Sequence, residues 1–394
     1  MPNPRANRPT QELAEELPGD LTFYEDTITD GSDAAAAIDR VALDRIRRRR
    51  RVSGLRRGLA VVTAPILAAW LWAGAGAQAT PGLPPATEAS AAALRAAVAP
   101  GVVVERSIEY TRAGARSLQA DVLRPESPPE ARLPAVVYIH GGGWKKGTRE
   151  QGHELLMPLV ATGRYVGVTI DYRFIPDAPW PAQLHDAKAA VRWLRAVADR
   201  YGVDPERIAV WGESSGGQIA SLLGVTGDVA ELEGDLPLPP GTPAPGGPPS
   251  SRVQAVVDFC GPSDMEALAR AATTPEEIAR MHARLDPLFG GPPAERVDLV
   301  RSASAIRHVH PGAAPFLLMH GTRDEVVPFR LSEAMHDALA RVGAPSALVP
   351  VAGWGHGFRG VEIDRRVEAF LDRHLWKESV EVSSAPVRAE RSAE

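Results

Sequence analysis

Three residues of this sequence have side chains of the kinds that together carry out nucleophilic catalysis: a serine, an acid and a histidine. Ser214, Asp324 and His356 occur in that order along the chain. Serine is a poor nucleophile at neutral pH, so it needs an adjacent general base, and the base needs a carboxylate that orients it. The sequence therefore predicts Ser214 as nucleophile, His356 as base and Asp324 as supporting acid in attack on a carbonyl carbon.

The position of Ser214 between a predicted strand and a predicted helix is stronger evidence for a nucleophile than its Gly-x-Ser-x-Gly pattern alone. The pattern directly follows a strand predicted over residues 208–211 and directly precedes a helical stretch. In such a turn the flanking Gly212 and Gly216 let backbone approach backbone, and the serine oxygen is exposed at the carboxyl end of the sheet. Ser214 fits the requirements of this turn, the nucleophile elbow.

Asp324 lies just past one predicted strand, and His356 lies just past the next one. The carboxyl ends of parallel strands meet at one edge of a sheet, where ligand sites of α/β proteins collect. Asp258 and Asp264 also follow a late predicted strand, so they are the alternative acids. We interpret most of the other histidines as surface or structural residues.

A second glycine-rich segment, His-Gly-Gly-Gly-Trp at residues 140–144, follows the strand predicted over residues 135–139. Glycines leave main-chain N–H groups unshielded, so these groups can point at the oxygen that becomes negative in a tetrahedral intermediate. The candidate oxyanion donors are the N–H groups of Gly142, Gly143 and Ser215. A phosphate-binding loop is the rival interpretation, but the sequence has neither a GxGxxG pattern nor the Lys and Ser/Thr pair of a P-loop.

The elements that must position these residues follow a βαβ pattern, in which short apolar runs alternate with amphipathic helical stretches. Apolar runs without polar alternation indicate strands buried on both faces, in a mostly parallel sheet covered by helices. The Pro- and Gly-rich residues 236–251 predict a surface loop. The predicted strands are residues 102–111, 117–123, 135–139, 166–170, 208–211, 254–259, 316–320 and 347–351.

The composition limits the classes of function. A formal net charge of -5 with mixed signs along most of the chain argues against a nucleic-acid binder, which needs a basic face. Cys260 is the single cysteine, so the chain has no intrachain disulfide and no multi-cysteine zinc site. We expect neither a cofactor nor a metal ion.

The amino-terminal part of the chain differs from the rest. Residues 1–57 are a polar leader with an arginine-rich end, which we expect to be disordered, and residues 58–80 are uncharged and partly apolar. This pattern predicts a signal peptide or an uncleaved membrane anchor, with the following domain outside the cytoplasm; a buried helix is the alternative. Residues 81–376 are then the catalytic domain, and the polar residues 377–394 are expected to be a disordered tail.

Five motifs in a fixed order resemble those of the α/β-hydrolase esterases. More narrowly, the chain resembles the feruloyl-esterase-like BD-FAE branch, close to the hormone-sensitive-lipase group, over roughly residues 102–375. The motifs are HGGGW at residues 140–144, DYR at 171–173, GESSGG at 212–217, HGTRDEVVP at 320–328 and GWGHGF at 353–358.

The resemblance implies an α/β-hydrolase fold and a serine carboxylesterase that hydrolyses small-molecule carboxylic esters through an acyl-enzyme intermediate, without a cofactor. It assigns the same triad and the same oxyanion donors. One departure is visible, because Glu213 and Ser215 stand where this branch more often has Asp and Ala. The glycine loop also resembles that of kynurenine formamidases, so an amidase is the alternative, and a non-catalytic binding module on a hydrolase fold is a further one.

Overall fold

The computed structural model describes residues 99–227, 229–244 and 246–388. Nine strands in these residues form one sheet: β1 Val102–Ala113, β2 Arg116–Pro125, β3 Leu133–Ile139, β4 Val166–Ile170, β5 Val203–Glu213, β6 Ala255–Phe259, β7 Phe316–Gly321, β8 Ser346–Ala352 and β9 Val387–Arg388. Their order across the sheet is β1-β2-β4-β3-β5-β6-β7-β8-β9. The β1–β2 and β2–β4 pairs are antiparallel and the other neighbours are parallel.

Helices connect the parallel strands and cover the sheet. The α-helices of the described residues are α1 Gln151–Val160, α2 Ala182–Ala196, α3 Ala198–Tyr201, α4 Ser215–Val225, α5 Met265–Ala269, α6 Pro275–Phe289, α7 Val297–Ser302, α8 Arg330–Arg341 and α9 Val361–Leu375. Helices α5 to α7 all lie in the long connection between β6 and β7. That connection is therefore large enough to extend over the carboxyl edge of the sheet.

The core has two apolar layers, one on each face of the sheet. All seven residues of β3 are buried. Val137 and Ile139 belong to one apolar cluster, whereas Val136 and Tyr138 belong to the other. Alternate side chains of a strand point to opposite faces, so a continuous apolar run is what a strand covered on both sides requires. The predicted fold, an α/β-hydrolase with a mostly parallel central sheet, is confirmed.

The helix that follows Ser214 packs unusually close to the sheet. Every residue of α4 is buried. A Cβ atom added to Gly224 would lie 2.5 Å from Cγ2 of Val256 and 2.7 Å from Cζ of Phe316. A side chain at this position would push the helix away from β6 and β7. Because Gly224 has no side chain, α4 packs close to β6 and β7. The first turn of this helix begins directly after Ser214.

The carboxyl-terminal segment differs from the prediction of a disordered tail beginning at residue 377. Residues 377–388 follow a defined path that ends in β9, which pairs parallel with β8. Val387 is buried in this edge strand, and the guanidinium of Arg164 forms an ion pair with Glu378. The polar composition of this segment did not indicate a strand. One buried valine and the exposed edge of β8 are enough to hold a short one.

The described residues of the Pro- and Gly-rich loop, 236–244 and 246–251, contain neither helix nor strand, as predicted. The predicted leader and the predicted signal peptide or anchor at residues 58–80 lie outside the described residues. Within the described ranges, no helix is both long enough and apolar enough to cross a bilayer.

We expect Gly224→Ala to destabilise the protein by about 1–3 kcal/mol, because the added methyl group forces α4 off the sheet. Gly312→Ala is the matched control, since it lies in an exposed loop where the new Cβ would meet only the His310 ring. The shift in the urea unfolding midpoint measures both. Equal stability of the two variants would contradict the role assigned to Gly224.

Candidate active site

The structure brings together the three residues that the sequence predicted as a triad. Nε2 of His356 lies 2.7 Å from Oγ of Ser214, and Nδ1 of His356 lies 2.7 Å from Oδ2 of Asp324. A carboxylate only accepts hydrogen bonds, so Nδ1 carries the ring proton and donates a hydrogen bond to Asp324, and Nε2 accepts a hydrogen bond from the serine hydroxyl. The three side chains therefore have the order and tautomer of a nucleophile, its base and the base's supporting acid.

Ser214 has a strained backbone, with φ 52° and ψ −118°. Such a conformation costs about 1–3 kcal/mol in a residue with a side chain. The neighbouring glycines make it sterically possible: a Cβ at Gly212 would lie 2.1 Å from the carbonyl oxygen of Gly216, and a Cβ at Gly216 would lie 2.1 Å from that of Ile139. The N–H of Ser214 donates to the carbonyl of Phe259, which holds the turn against β6.

The carboxylate of Asp324 has a full set of hydrogen-bond donors although its side chain is buried. Its Oδ1 accepts the N–H groups of Val326 and Val327, at 2.8 and 2.9 Å. Burial by itself would raise the pKa of Asp324, but hydrogen bonds from His320, His356 and the Val327 N–H outweigh it and hold that pKa well below its usual range. The carboxylate is thus ionised whenever His356 acts as a base.

His320 contacts the acid, which its position at the end of a predicted strand did not indicate. Its Nε2 lies 3.0 Å from Oδ2 of Asp324 and 2.8 Å from the carbonyl oxygen of Val327, and its Nδ1 lies 2.6 Å from Oγ of Ser332. Because Nε2 of His320 faces two acceptors, it carries the ring proton, and Nδ1 accepts a hydrogen bond from the hydroxyl of Ser332. His320 therefore donates to Oδ2 of Asp324, the same oxygen that accepts a hydrogen bond from His356, and helps to orient the acid. Its spacing of four residues before Asp324 was the available signal.

The two alternative acids have other tasks. Asp258 is buried and accepts hydrogen bonds from Oγ of Ser221 and the N–H of Gly261. Burial raises its pKa, against the effect of these two hydrogen bonds. Asp264 caps α5 by accepting the N–H of Ala267. Asp324 is the carboxylate that meets His356.

The glycine loop lies directly against the nucleophile. A Cβ placed on Gly141 would be 3.4 Å from Cβ of Ser214. Gly142 and Gly143 have φ values of 125° and 61°, which glycine adopts without strain. Ser215 is the first residue of α4, where main-chain N–H groups have no partner within the helix. The loop is therefore beside Ser214, and the three N–H groups stay the predicted oxyanion donors.

An ion-pair cluster anchors the end of this loop. Nε of Arg149 lies 2.8 Å from Oδ1 of the buried Asp121, and its Nη1 lies 2.5 Å from Oδ2 of Asp171. Asp121 also accepts hydrogen bonds from His153 and from the N–H of Ser107. Burial would raise the pKa of Asp121, but these donors lower it to about 2. The loop is thereby tied to β1, β2 and the end of β4.

The rest of the DYR motif supports the same loop. The hydroxyl of Tyr172 donates to the carbonyl of His140 at 3.0 Å, and the two rings stack with centroids 4.3 Å apart. The guanidinium of Arg173 pairs with the buried Asp186 of α2 at 2.7 Å. This motif therefore fixes the strand end from which the glycine loop starts.

The two departures from the branch's usual residues both have partners. Glu213 forms an ion pair with Arg359 at 2.6 Å and accepts a hydrogen bond from the hydroxyl of Tyr138 at 3.0 Å. The longer Glu side chain thus links the nucleophile turn to the segment just after His356. Oγ of Ser215 lies 3.3 Å from the hydroxyl of Tyr172.

Cys260 is close to the acid and the base. Its thiol donates to the carbonyl of His356 at 3.1 Å, and burial raises its pKa well above the usual value. Sγ of Cys260 and ligand atoms of Asp324 and His356 lie within 4.8 Å of one another. These donor types bind zinc, but the imidazole and the carboxylate are already engaged in the triad. We therefore interpret the contacts of Cys260 with Asp324 and His356 as packing around the triad.

We expect His320→Phe to slow covalent labelling of Ser214 by a fluorophosphonate probe about tenfold, because Asp324 loses a charge-assisted hydrogen bond of roughly 1.5–3 kcal/mol. The probe concentration at half-saturation should not change. His320→Gln restores an N–H donor and should recover part of the rate. Equal rates for the Phe and Gln variants would mean that the ring acts only by filling space.

Known proteins match this chain in sequence and in structure. The profile of the BD-FAE family matches residues 120–339. Esterase LipC of Mycobacterium tuberculosis is 34% identical over 241 residues, which are 60% of this chain and 56% of LipC. Carboxylesterase NlhH of the same species is 36% identical over 143 residues, 36% of this chain and 43% of NlhH. The chain spans about half the length of the curated relatives it matches.

Two solved structures are similar over most of their length. A truncated carbohydrate esterase from gut microbiota superposes with a TM-score of 0.60 at 26% identity, covering 70% of this chain and 96% of that one. The esterase Est2 of Thermogutta terrifontis with bound propionate gives a TM-score of 0.52 at 26% identity, covering 69% and 92%. With the family profile covering more than half of its residues, the chain belongs to the BD-FAE family and has the α/β-hydrolase fold.

Proposed function

We propose that the protein is a serine carboxylesterase that hydrolyses small-molecule carboxylic esters. The observation that carries the proposal is the continuous hydrogen-bonded series from Ser214 through His356 to Asp324, with both distances 2.7 Å. The names of the similar proteins support ester substrates, since LipC, NlhH and Est2 are all called esterases. No metal ion or cofactor takes part in the steps below.

The reaction proceeds in two halves. His356 takes the proton of Ser214 as its oxygen attacks the ester carbonyl, and the resulting oxyanion accepts hydrogen bonds from Gly142, Gly143 and Ser215. His356 then gives the proton to the leaving alkoxide, which leaves an acyl-enzyme on Ser214. Water, deprotonated by the same imidazole, attacks the acyl group, and the imidazolium returns the proton to Oγ of Ser214 as the acid leaves. Each oxyanion donor is worth about 3–4 kcal/mol by analogy with measured deletions.

Two alternatives are less well supported. The same triad serves amides, but the similar proteins are named as esterases rather than formamidases. A binding module has no need of a strained serine or of a buried carboxylate with four donors. Strain of this kind persists where the surrounding structure enforces it, which favours catalysis over binding alone.

We expect Ser214→Ala to lower hydrolysis of p-nitrophenyl acetate by at least about 10³-fold and to abolish fluorophosphonate labelling, because the acyl-enzyme cannot form. Ser384→Ala, in the exposed carboxyl-terminal segment, is the control for a lost serine. Activity of Ser214→Ala within tenfold of the unchanged protein would refute the assignment. Preference for N-formylkynurenine over short acyl esters would favour the amidase.

We also propose that the protein is exported or membrane-anchored, with its catalytic domain outside the cytoplasm. The arginine-rich end of residues 1–57 followed by the uncharged residues 58–80 supports this location, since arginines stay on the cytoplasmic side. Both a cleaved signal peptide and a retained anchor fit the pattern.

Cell fractionation with mass spectrometry of the amino terminus tests this location. A mature terminus near residue 80 indicates a cleaved signal, because the small residues Ala77 and Ala79 suit cleavage. An intact terminus in the membrane fraction indicates an anchor. An intact chain confined to the cytosolic fraction would contradict both.

A further inference from the structure

Helix α6 places a guanidinium group across the active-site edge. Nη1 of Arg284 donates to the carbonyl of Val326 at 3.1 Å, and its Cζ lies 5.8 Å from the ring centre of Trp144. Trp144 follows the glycine loop after β3, and Val326 belongs to the loop after β7 that holds the acid. Strands β5 and β6 lie between β3 and β7 in the sheet. A group that joins these two loops therefore spans the carboxyl ends of β5 and β6, where Ser214 emerges.

Lys145, which follows Trp144 in the chain, holds helix α6 against the glycine loop. Nζ of Lys145 donates to the carbonyl of Ala283 at 2.7 Å. Trp144 itself is fully buried, and its indole N–H donates to Oε1 of Gln218 at 3.1 Å. The guanidinium of Arg284 thus lies over a buried ring. Helix α6 contacts the glycine loop through Lys145 and the acid loop through Arg284 itself.

The charge of Arg284 lacks a dedicated counter-ion. Among the described residues, none forms an ion pair with its guanidinium, and its hydrogen bond to Val326 uses one of five N–H donors. The carboxylate whose charge acts on it is Asp324, and both oxygens of Asp324 are occupied by the triad and the backbone. Burial lowers the pKa of Arg284, and the charge of Asp324 offsets only part of this effect.

We propose that Arg284 is the recognition group for a carboxylate carried by the substrate, so that the protein prefers anionic esters over neutral ones of the same shape. The proposal rests on the proposed esterase activity. Arginine binds carboxylates through two parallel N–H···O bonds, and a partly desolvated guanidinium with unused donors gains most from such a partner. Desolvation of the Arg284 guanidinium costs free energy, and the substrate carboxylate offsets that cost when it binds.

The carboxylate belongs either to the acyl part or to the alcohol part of the ester. Monomethyl glutarate has it on the acyl part, with methyl glutaramate as the neutral analogue of the same shape. For the alcohol part, 4-acetoxybenzoate is compared with 4-acetoxybenzamide. The measured quantity is the ratio of kcat/KM for the anionic ester to that for its neutral analogue, in the full chain.

Arg284→Met should lower this ratio at least tenfold for the pair whose carboxylate reaches the guanidinium, and Arg284→Lys should recover part of it. Arg280→Met is the matched control, because Arg280 is exposed on the same helix; its ratio should equal that of the unchanged protein. The ratio is internal to each preparation, so a partly unfolded variant does not distort it.

The outcomes separate the two proposals. If neutral esters are hydrolysed but Arg284→Met changes neither ratio by more than twofold, the anion site is wrong and the esterase assignment stands. If the unchanged protein hydrolyses none of the four esters and is not labelled by a fluorophosphonate, the esterase assignment fails, and the anion preference fails with it.

Discussion

The active site depends on the close approach of three backbone segments at the end of β5. Gly212 contacts the carbonyl of Gly216, and Gly216 contacts the carbonyl of Ile139, at distances that exclude any side chain. This contact forces Ser214 to a positive φ and presents its oxygen outward. A second close approach, between Gly224 and the sheet, sets the depth of the same helix. The nucleophile is thus placed by packing that only glycine allows.

Around this fixed serine, electrostatics decide which acid takes part. Asp324 lies between two imidazoles, and two backbone N–H groups fill its other oxygen. The carboxylate is buried but fully hydrogen-bonded, so it keeps its charge without solvent. Asp258 is more completely buried, accepts hydrogen bonds from Ser221 and Gly261, and has a pKa that is raised rather than lowered. The deeper burial of Asp258 and the larger set of hydrogen-bond donors to Asp324 together distinguish the two acids.

The connection between β6 and β7 contacts this site from outside the sheet. It brings α6 to the glycine loop and to the acid loop, and it places one cation between them. Such a connection can change without disturbing the sheet, because its helices contribute surface rather than strands. In the proposed function, substrate preference and the chemical step therefore depend on different parts of the chain.

The sequence by itself determined the fold class and the strands from residue 102 to residue 352 to within five residues at each end, and it predicted the three residues that the structure brings together as Ser214, His356 and Asp324. It could do so because glycine spacing and uninterrupted apolar runs are local signals. The roles of His320, Asp121 and Arg284 came only from the tertiary structure, since each depends on a partner from another loop or strand. The ordered segment 377–388 was missed for the same reason: its stability comes from the edge of β8 and from Arg164, which its own residues do not encode.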